Sequence, residues 1–250
     1  MNYLYDHSFE GFLTCVFHHW YTEKAGGIFP DGDYQLDICS YAMTVEAEAD
    51  KAARVYEAIE KKLSKWDAQR VYLAFCSSEP EKEMKILRYI SLGFKRGPKI
   101  RLLHGDPIVQ AIEAIERRVR LEVHRLCGLV RFSEVQDAGS GNLLLYAKLE
   151  PDNDVLEFLA PHFSDRYKSD PFIIHDLGRE KALFAFGREW KVAPLAADAM
   201  LVKTEREQEC VALWKQYFET MATKERINPK CQRQFMPARY WKHLPEIQGN

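Results

Sequence analysis

Along the first hundred residues, apolar side chains recur every three or four positions and polar ones fill the gaps. Phe9, Phe12, Leu13, Val16, Phe17 and Trp20 form one such stripe, with Ser8 ahead of it as an N-cap, which predicts a helix that buries one face. The preceding YLYD reads as a short strand, the Gly-, Pro- and Asp-rich stretch 26–33 as a loop, and YQLDIC as a short strand of alternating character. Val45, Ala49, Ala52, Tyr56, Ile59 and Leu63 mark a second helix, whose other face carries Glu46, Glu48, Glu57, Glu60, Lys61 and Lys62. Ser64 with Asp67, and Ser78 with Glu81, have capping-box spacing and predict two more helices, ending near Ser77 and Phe94; Gly97-Pro98 closes this helical part.

Asp106-Pro107 has the cap-then-proline form of a helix start. The pattern that follows, IVQAIEAIERRVRLEVHRLC, is the longest helical one in the chain and ends at Gly128. There the periodicity changes. LVRFSEV and NLLLYAKLE are strand-like runs joined by DAGSGN, a connection with the Gly and Asn content of a hairpin or short loop. A helix through VLEFLAPHFSDRYKSD, broken or started afresh at Pro161, leads to two more apolar runs, FIIHDL and ALFAFG, and the four runs fit one sheet. A last helix from about Glu205 to Met221 precedes a basic, aromatic tail. The pattern therefore predicts an α+β fold: a mostly helical region 1–100, then an α+β domain 101–250 with a small antiparallel sheet packed by helices.

Composition narrows the class without naming a reaction. Apolar residues make up 46% and charged residues 29%, the ordinary globular range, which excludes a disordered or fibrous chain. No stretch approaches the roughly 18–20 consecutive apolar residues of a membrane span, and the start lacks a basic region followed by an apolar one, so a cytoplasmic protein away from membranes is expected. Cys15, Cys39, Cys76, Cys127, Cys210 and Cys231 are scattered singly, as suits reduced packing thiols and neither a disulfide framework nor a metal cluster. A formal net charge of -2 means that affinity for nucleic acid has to come from a local basic patch.

Motifs of well-known chemistries are absent: there is no P-loop, nucleophile elbow, HExxH pair or dinucleotide fingerprint, and no cofactor or metal is expected. Three clusters remain. In EVHRLCGLVRF, His124 and Arg125 end the long helix and Arg131 opens the next strand; cations there suit phosphate and equally suit the helix C-terminus. In APHFSDRYK, His162, Arg166 and Tyr167 lie within about one helical turn, a spacing that suits phosphate contact or general acid–base work, while pairing with carboxylates is the commoner fate of such groups. The tail interleaves Lys230, Arg233, Arg239 and Lys242 with Phe235, Tyr240 and Trp241, which fits base stacking with phosphate neutralisation, or a tail pinned to the core by its rings.

These stretches carry a family resemblance. YDHSFEGFLTCVF, LRYISLGFKRG, EVHRLCGLVRF, LAPHFSDRY, FIIHDLGREKALF, LWKQYFETM and INPKCQRQFMPARYWKHLPE together resemble bacterial probable DNA-metabolism proteins associated with a putative DNA-repair radical-SAM protein. From about Arg101 onward the chain resembles a domain of unknown function also found fused to uracil-DNA-glycosylase-like domains. The family's first pattern falls on Glu122, His124, Arg125, Arg131 and Phe132, its middle one on Pro161, His162, Phe163 and Arg166, and its last on Met236, Pro237, Tyr240, Trp241, Leu244, Pro245 and Glu246. The usual Gly-Phe-Val before the Arg-Phe pair reads Gly128, Leu129 and Val130 here and lacks the aromatic ring.

The resemblance implies a DNA-binding accessory protein in repair or nucleic-acid modification. DNA and a radical-SAM protein would be its partners, with Arg125, Arg131, Arg166, Arg239 and Lys230 on phosphates, Tyr240 or Trp241 stacking, and His124 and His162 lining the site. Two alternatives stay open: a hydrolase or lyase on damaged nucleotides or DNA ends, using His124 or His162 as acid–base, and a scaffold that touches no nucleic acid.

Overall fold

The computed structural model describes residues 1–32, 41–137, 141–196, 201–221, 223 and 228–247. The fold is α+β, and the chain divides into two compact units, Met1–Val119 and Arg120–Asn250. The division falls inside one long helix.

Unit 1 is not purely helical. Its centre is β1 (Asn2–Tyr5), flanked by β2 (Gly27–Pro30) and β3 (Ala42–Thr44) in a three-stranded parallel sheet of order β2-β1-β3. β2 lies in the stretch read as a loop and β3 in the turn read ahead of the helix that starts at Val45, because each strand is too short to show a period of two. The strand predicted over YQLDIC falls on residues 34–39, outside the described ones. Around the sheet stand α1 (Phe9–Tyr21), α2 (Ala49–Lys62), α3 (Lys65–Phe75) and α4 (Lys82–Arg96). As the pattern predicts, Ser8 caps α1 by accepting from the Gly11 N–H at 2.9 Å, and Ser64 caps α3 by accepting from the Asp67 N–H at 3.1 Å. α4 is entered at Glu81, in a left-handed conformation and without a side-chain cap bond, and not at Ser78 as the pattern predicts; Lys82 donates to the carbonyls of Phe75 and Ser77, closing the end of α3. Tyr3 and Tyr5 of β1, Phe12 and Val16 of α1, Ile59 of α2, Val71 of α3 and Ile86 and Ile90 of α4 form the core.

α5 (Pro107–Leu129) follows the 3-10 segment Gly97–Leu102. Its apolar stripe Val109, Ile112, Ile115, Val119 and Leu126 is buried at helical spacing. In unit 2, β4 (Ser133–Asp137), β5 (Leu143–Leu149), β6 (Phe172–Asp176), β7 (Lys181–Phe186), β8 (Glu189–Pro194) and β9 (Leu201–Lys203) form a six-stranded sheet of order β8-β7-β6-β5-β4-β9. The sheet is mixed, which corrects the antiparallel expectation: β5 and β6 run parallel, and every other neighbouring pair is antiparallel. The cause is α6 (Leu156–Arg166), the crossover that two adjacent parallel strands require. α6 runs through Pro161 without a break, and buries Leu156, Leu159, Ala160 and Phe163. α7 (Glu205–Met221), α8 (Pro229–Phe235) and a 3-10 turn at Ala238–His243 complete the unit. Among the described residues no helix is long and apolar enough to cross a membrane.

Candidate functional site

The dipeptide Arg131-Phe132 leaves α5 and enters β4, and its two side chains reach the other two clusters that the sequence singles out. Phe132 meets Phe163 and Tyr167 of the α6 region edge-on, with ring centroids 5.3 and 4.8 Å apart. His162 and Arg166 stand one turn apart on the same helix, both exposed, with His162 against the Phe163 ring and the Arg166 guanidinium 5.6 Å from the Tyr167 centroid. Arg131 turns to the tail: Nε and Nη2 donate to Glu246 Oε1 at 3.2 and 2.8 Å, while Nη1 donates to the Gly128 carbonyl at 2.9 Å and closes the end of α5. Glu246 takes a further hydrogen bond on Oε2 from the Trp214 indole N–H at 3.0 Å, and the Arg131 guanidinium lies 5.8 Å from the Trp214 ring centroid. One turn back on α5, Arg125 donates to the Gln234 carbonyl at the end of α8 at 3.2 Å, and His124 beside it is exposed.

Tyr240 is buried and Trp241 half-buried, and Arg239, though exposed, is engaged by carboxylates. Glu122, on α5 and only 3% exposed, accepts from the Tyr240 hydroxyl at 2.5 Å and from Arg239 Nη2 at 3.1 Å. The same carboxylate takes the backbone N–H of Asp152 at 3.0 Å and of Asn153 at 2.9 Å, plus the Asn153 side-chain amide at 2.6 Å. Burial alone would raise its pKa, but these donors outweigh burial and hold it below the usual carboxylate range. Tyr240 is pushed the other way, above the ordinary phenol, by burial and by the carboxylate it donates to. Arg239 also pairs with Asp152 at 2.5 Å, and the Trp241 indole donates to the Met236 carbonyl at 2.9 Å. The tail is thus pinned at both ends, through Tyr240 on Glu122 and through Glu246 on Arg131. A buried carboxylate stripped of such partners costs roughly 3–5 kcal/mol.

The β5–α6 loop supports the contact between Glu122 and Tyr240. Glu150 pairs with Lys242 at 2.5 Å and His243 at 3.4 Å, Asp154 pairs with Lys181, and the carbonyls of Pro151 and Asp152 accept from Arg179 at 3.0 and 2.6 Å. Arg179 in turn pairs at 3.0 Å with Asp176 at the end of β6, whose pKa burial raises in spite of that partner. His175 beside it is fully buried and hydrogen-bonded to the Tyr146 hydroxyl at 2.6 Å and the Leu195 carbonyl at 3.0 Å. Of these groups the sequence names Lys242 in the tail cluster and Glu122 in the family's first pattern, without pairing either; one further signal points to Glu122, which occupies a position in the buried stripe of α5, between Val119 and Leu126, where a carboxylate needs donors.

What remains outside is a surface of cations and flat rings. Lys230 and Arg233 on α8 are exposed together with Phe235. α7 exposes Leu213, Trp214, Tyr217, Phe218 and Met221. Cys210 and Cys231 are also exposed, unlike the buried Cys15 and Cys76, so not every thiol packs a core; Cys39 lies outside the described residues. Among the described residues no group of three or more His, Cys, Asp or Glu side chains is placed to hold a metal. Among the described residues Arg166, Lys230 and Arg233 have no carboxylate partner, so the arrangement can offer phosphate oxygens their charge and bases its aromatic faces, and it holds no oriented acid–base pair around His124 or His162.

No curated protein is found to match the chain. The model of a domain of unknown function, DUF4130, matches residues 80–246, which takes in α4, α5 and nearly all of unit 2, including every residue of the arrangement above. The chain belongs to the DUF4130 family.

Proposed function

We propose that unit 2 is a nucleic-acid-binding module that serves as an accessory in DNA repair or nucleic-acid modification, working with a radical-SAM-type protein. The observation that supports this most is the convergence on Arg131-Phe132, which ties the α5 end, α6 and the tail into one surface. Pinning changes which residues do the work. Arg131, Arg239, Tyr240 and Trp241 hold the surface together, while Arg125, Arg166 and Lys230, with His124 and His162 near them, face the ligand. Affinity from such a patch is electrostatic and falls with salt, with a slope of about 0.7–0.9 per phosphate contact.

The test is fluorescence anisotropy of the full chain with labelled DNA across a range of salt concentrations. Arg166→Ala and Lys230→Ala are expected to weaken binding to all sequences alike and each to lower the salt slope by about 0.7–0.9. Binding that ignores salt, or variants that leave the slope unchanged, would contradict the reading. The acid–base alternative predicts turnover that disappears in His124→Ala or His162→Ala while binding survives. No observation of the site favours that alternative.

A further inference from the structure

Trp214 is an exposed aromatic that is held still. At 39% exposure its indole is nonetheless fixed by an N–H bond to Glu246, and Arg131 lies 5.8 Å from its ring centroid. Three positions along α7, the Tyr217 ring stacks beside it at 5.8 Å with 25° between planes, 55% exposed. Guanidinium, indole and phenol thus form a row of flat groups. An ordinary exposed tryptophan is free to change rotamer; this one is locked by a carboxylate that is itself buried against Arg131, so its plane is set before any ligand arrives.

The surroundings favour one kind of occupant. The row stands at the end of α5, where Arg125 also joins α8 with its exposed Lys230 and Arg233. Three of the four carboxylates of α7, Glu205, Glu207 and Glu209, stand in its first two turns; the fourth, Glu219, follows Tyr217 by two positions, a spacing at which helical side chains do not face each other. Rings beside cations suit bases joined by phosphates; a duplex hides its base faces, and an unpaired strand shows them.

We infer that Trp214 and Tyr217 are a stacking platform for the bases of single-stranded nucleic acid, or of a duplex opened locally. This rests on the nucleic-acid reading of unit 2 and adds the class of strand. The role falls to α7, while of the tail rings Tyr240 is buried and Trp241 is half-buried with its indole bonded to the Met236 carbonyl.

The test compares a 12-mer oligothymidylate with a duplex of the same length on the full-length chain, read by anisotropy and by tryptophan fluorescence, in wild type, Tyr217→Leu and Trp214→Phe. Leucine keeps the apolar surface and removes the flat ring at an exposed position, so the melting temperature should hold. Oligothymidylate binding is expected to weaken on the order of tenfold in Tyr217→Leu while duplex binding stays put. The oligothymidylate should quench wild-type fluorescence and quench Trp214→Phe much less. Single-strand binding unaffected by Tyr217→Leu, with DNA binding intact, would overturn the platform and leave the nucleic-acid reading standing. Binding of neither DNA would overturn both and leave the α7 stripe as a protein-docking surface.

Discussion

Glu122 carries much of the arrangement, and its protonation gives the arrangement a pH signature. Its folded pKa is depressed below the unfolded value of about 4.3. The contribution is therefore fully present above that value and is lost as pH falls through the depressed one. Glu246 is depressed in the same direction, because the hydrogen bonds from its own backbone N–H, Trp214 and Arg131 together outweigh burial. We expect denaturation midpoints of the wild type to drop as pH is taken from 5 to 2, and Glu122→Gln, which keeps an acceptor for the backbone N–H groups but cannot titrate, to lose less over that window. Equal losses in both proteins would show that Glu122 is not depressed. At this scale the sequence was half legible. A carboxylate in an apolar stripe announces a buried partner, but the partner is Tyr240, more than a hundred residues away, and no local pattern ties the two. The same distance explains why Arg239 reads as a phosphate ligand in sequence: only the fold brings Glu122 and Asp152 against it.

Elements with a long periodic pattern are where sequence and structure agree most closely. α1, α5 and α7 stand where the stripes place them, since each repeats its apolar period over several turns. β2, β3, β8 and β9 were missed as strands, being of three to six residues, and β8 exposes most of its side chains, so alternation has little to report. The parallel β5–β6 pair follows from reading α6 as a crossover, an inference that the pattern permits but does not force. Pro161 illustrates tertiary packing overriding a local signal: it lacks the N–H that would bond the carbonyl four residues back, yet Leu159, Ala160 and Phe163 are buried and keep the helix going past it. The proline itself is exposed, so Pro161→Ala leaves no cavity and restores the missing donor. A gain of about 1–3 kcal/mol in denaturant unfolding is expected, and a loss would mean that the proline shapes α6 for a reason beyond its own turn.

At the scale of the whole molecule, each unit has its own core and its own exposed rings. Unit 1 buries Tyr3, Tyr5, Phe12 and Tyr89 around a parallel sheet, with Asp67, Arg70 and Glu116 paired internally, and exposes Trp20, Tyr21, Tyr41 and Trp66. Unit 2 leaves Leu213, Trp214, Tyr217, Phe218, Met221 and Phe235 exposed, close to the cations of α5 and α8. With a net charge of only -2 the molecule as a whole offers DNA no attraction, so a binding surface has to be local, and it should be visible as such. Hydrogen–deuterium exchange of the full chain, with and without a saturating 12-mer oligothymidylate, reads this directly. We expect added protection confined to the α5 end from Leu121 to Arg131, α6 around His162–Arg166, α7 from Leu213 to Met221, and α8, with β1 to β3 unchanged. Protection that appears only in unit 1, or nowhere, would contradict the claim that the surface around Arg131-Phe132 binds nucleic acid.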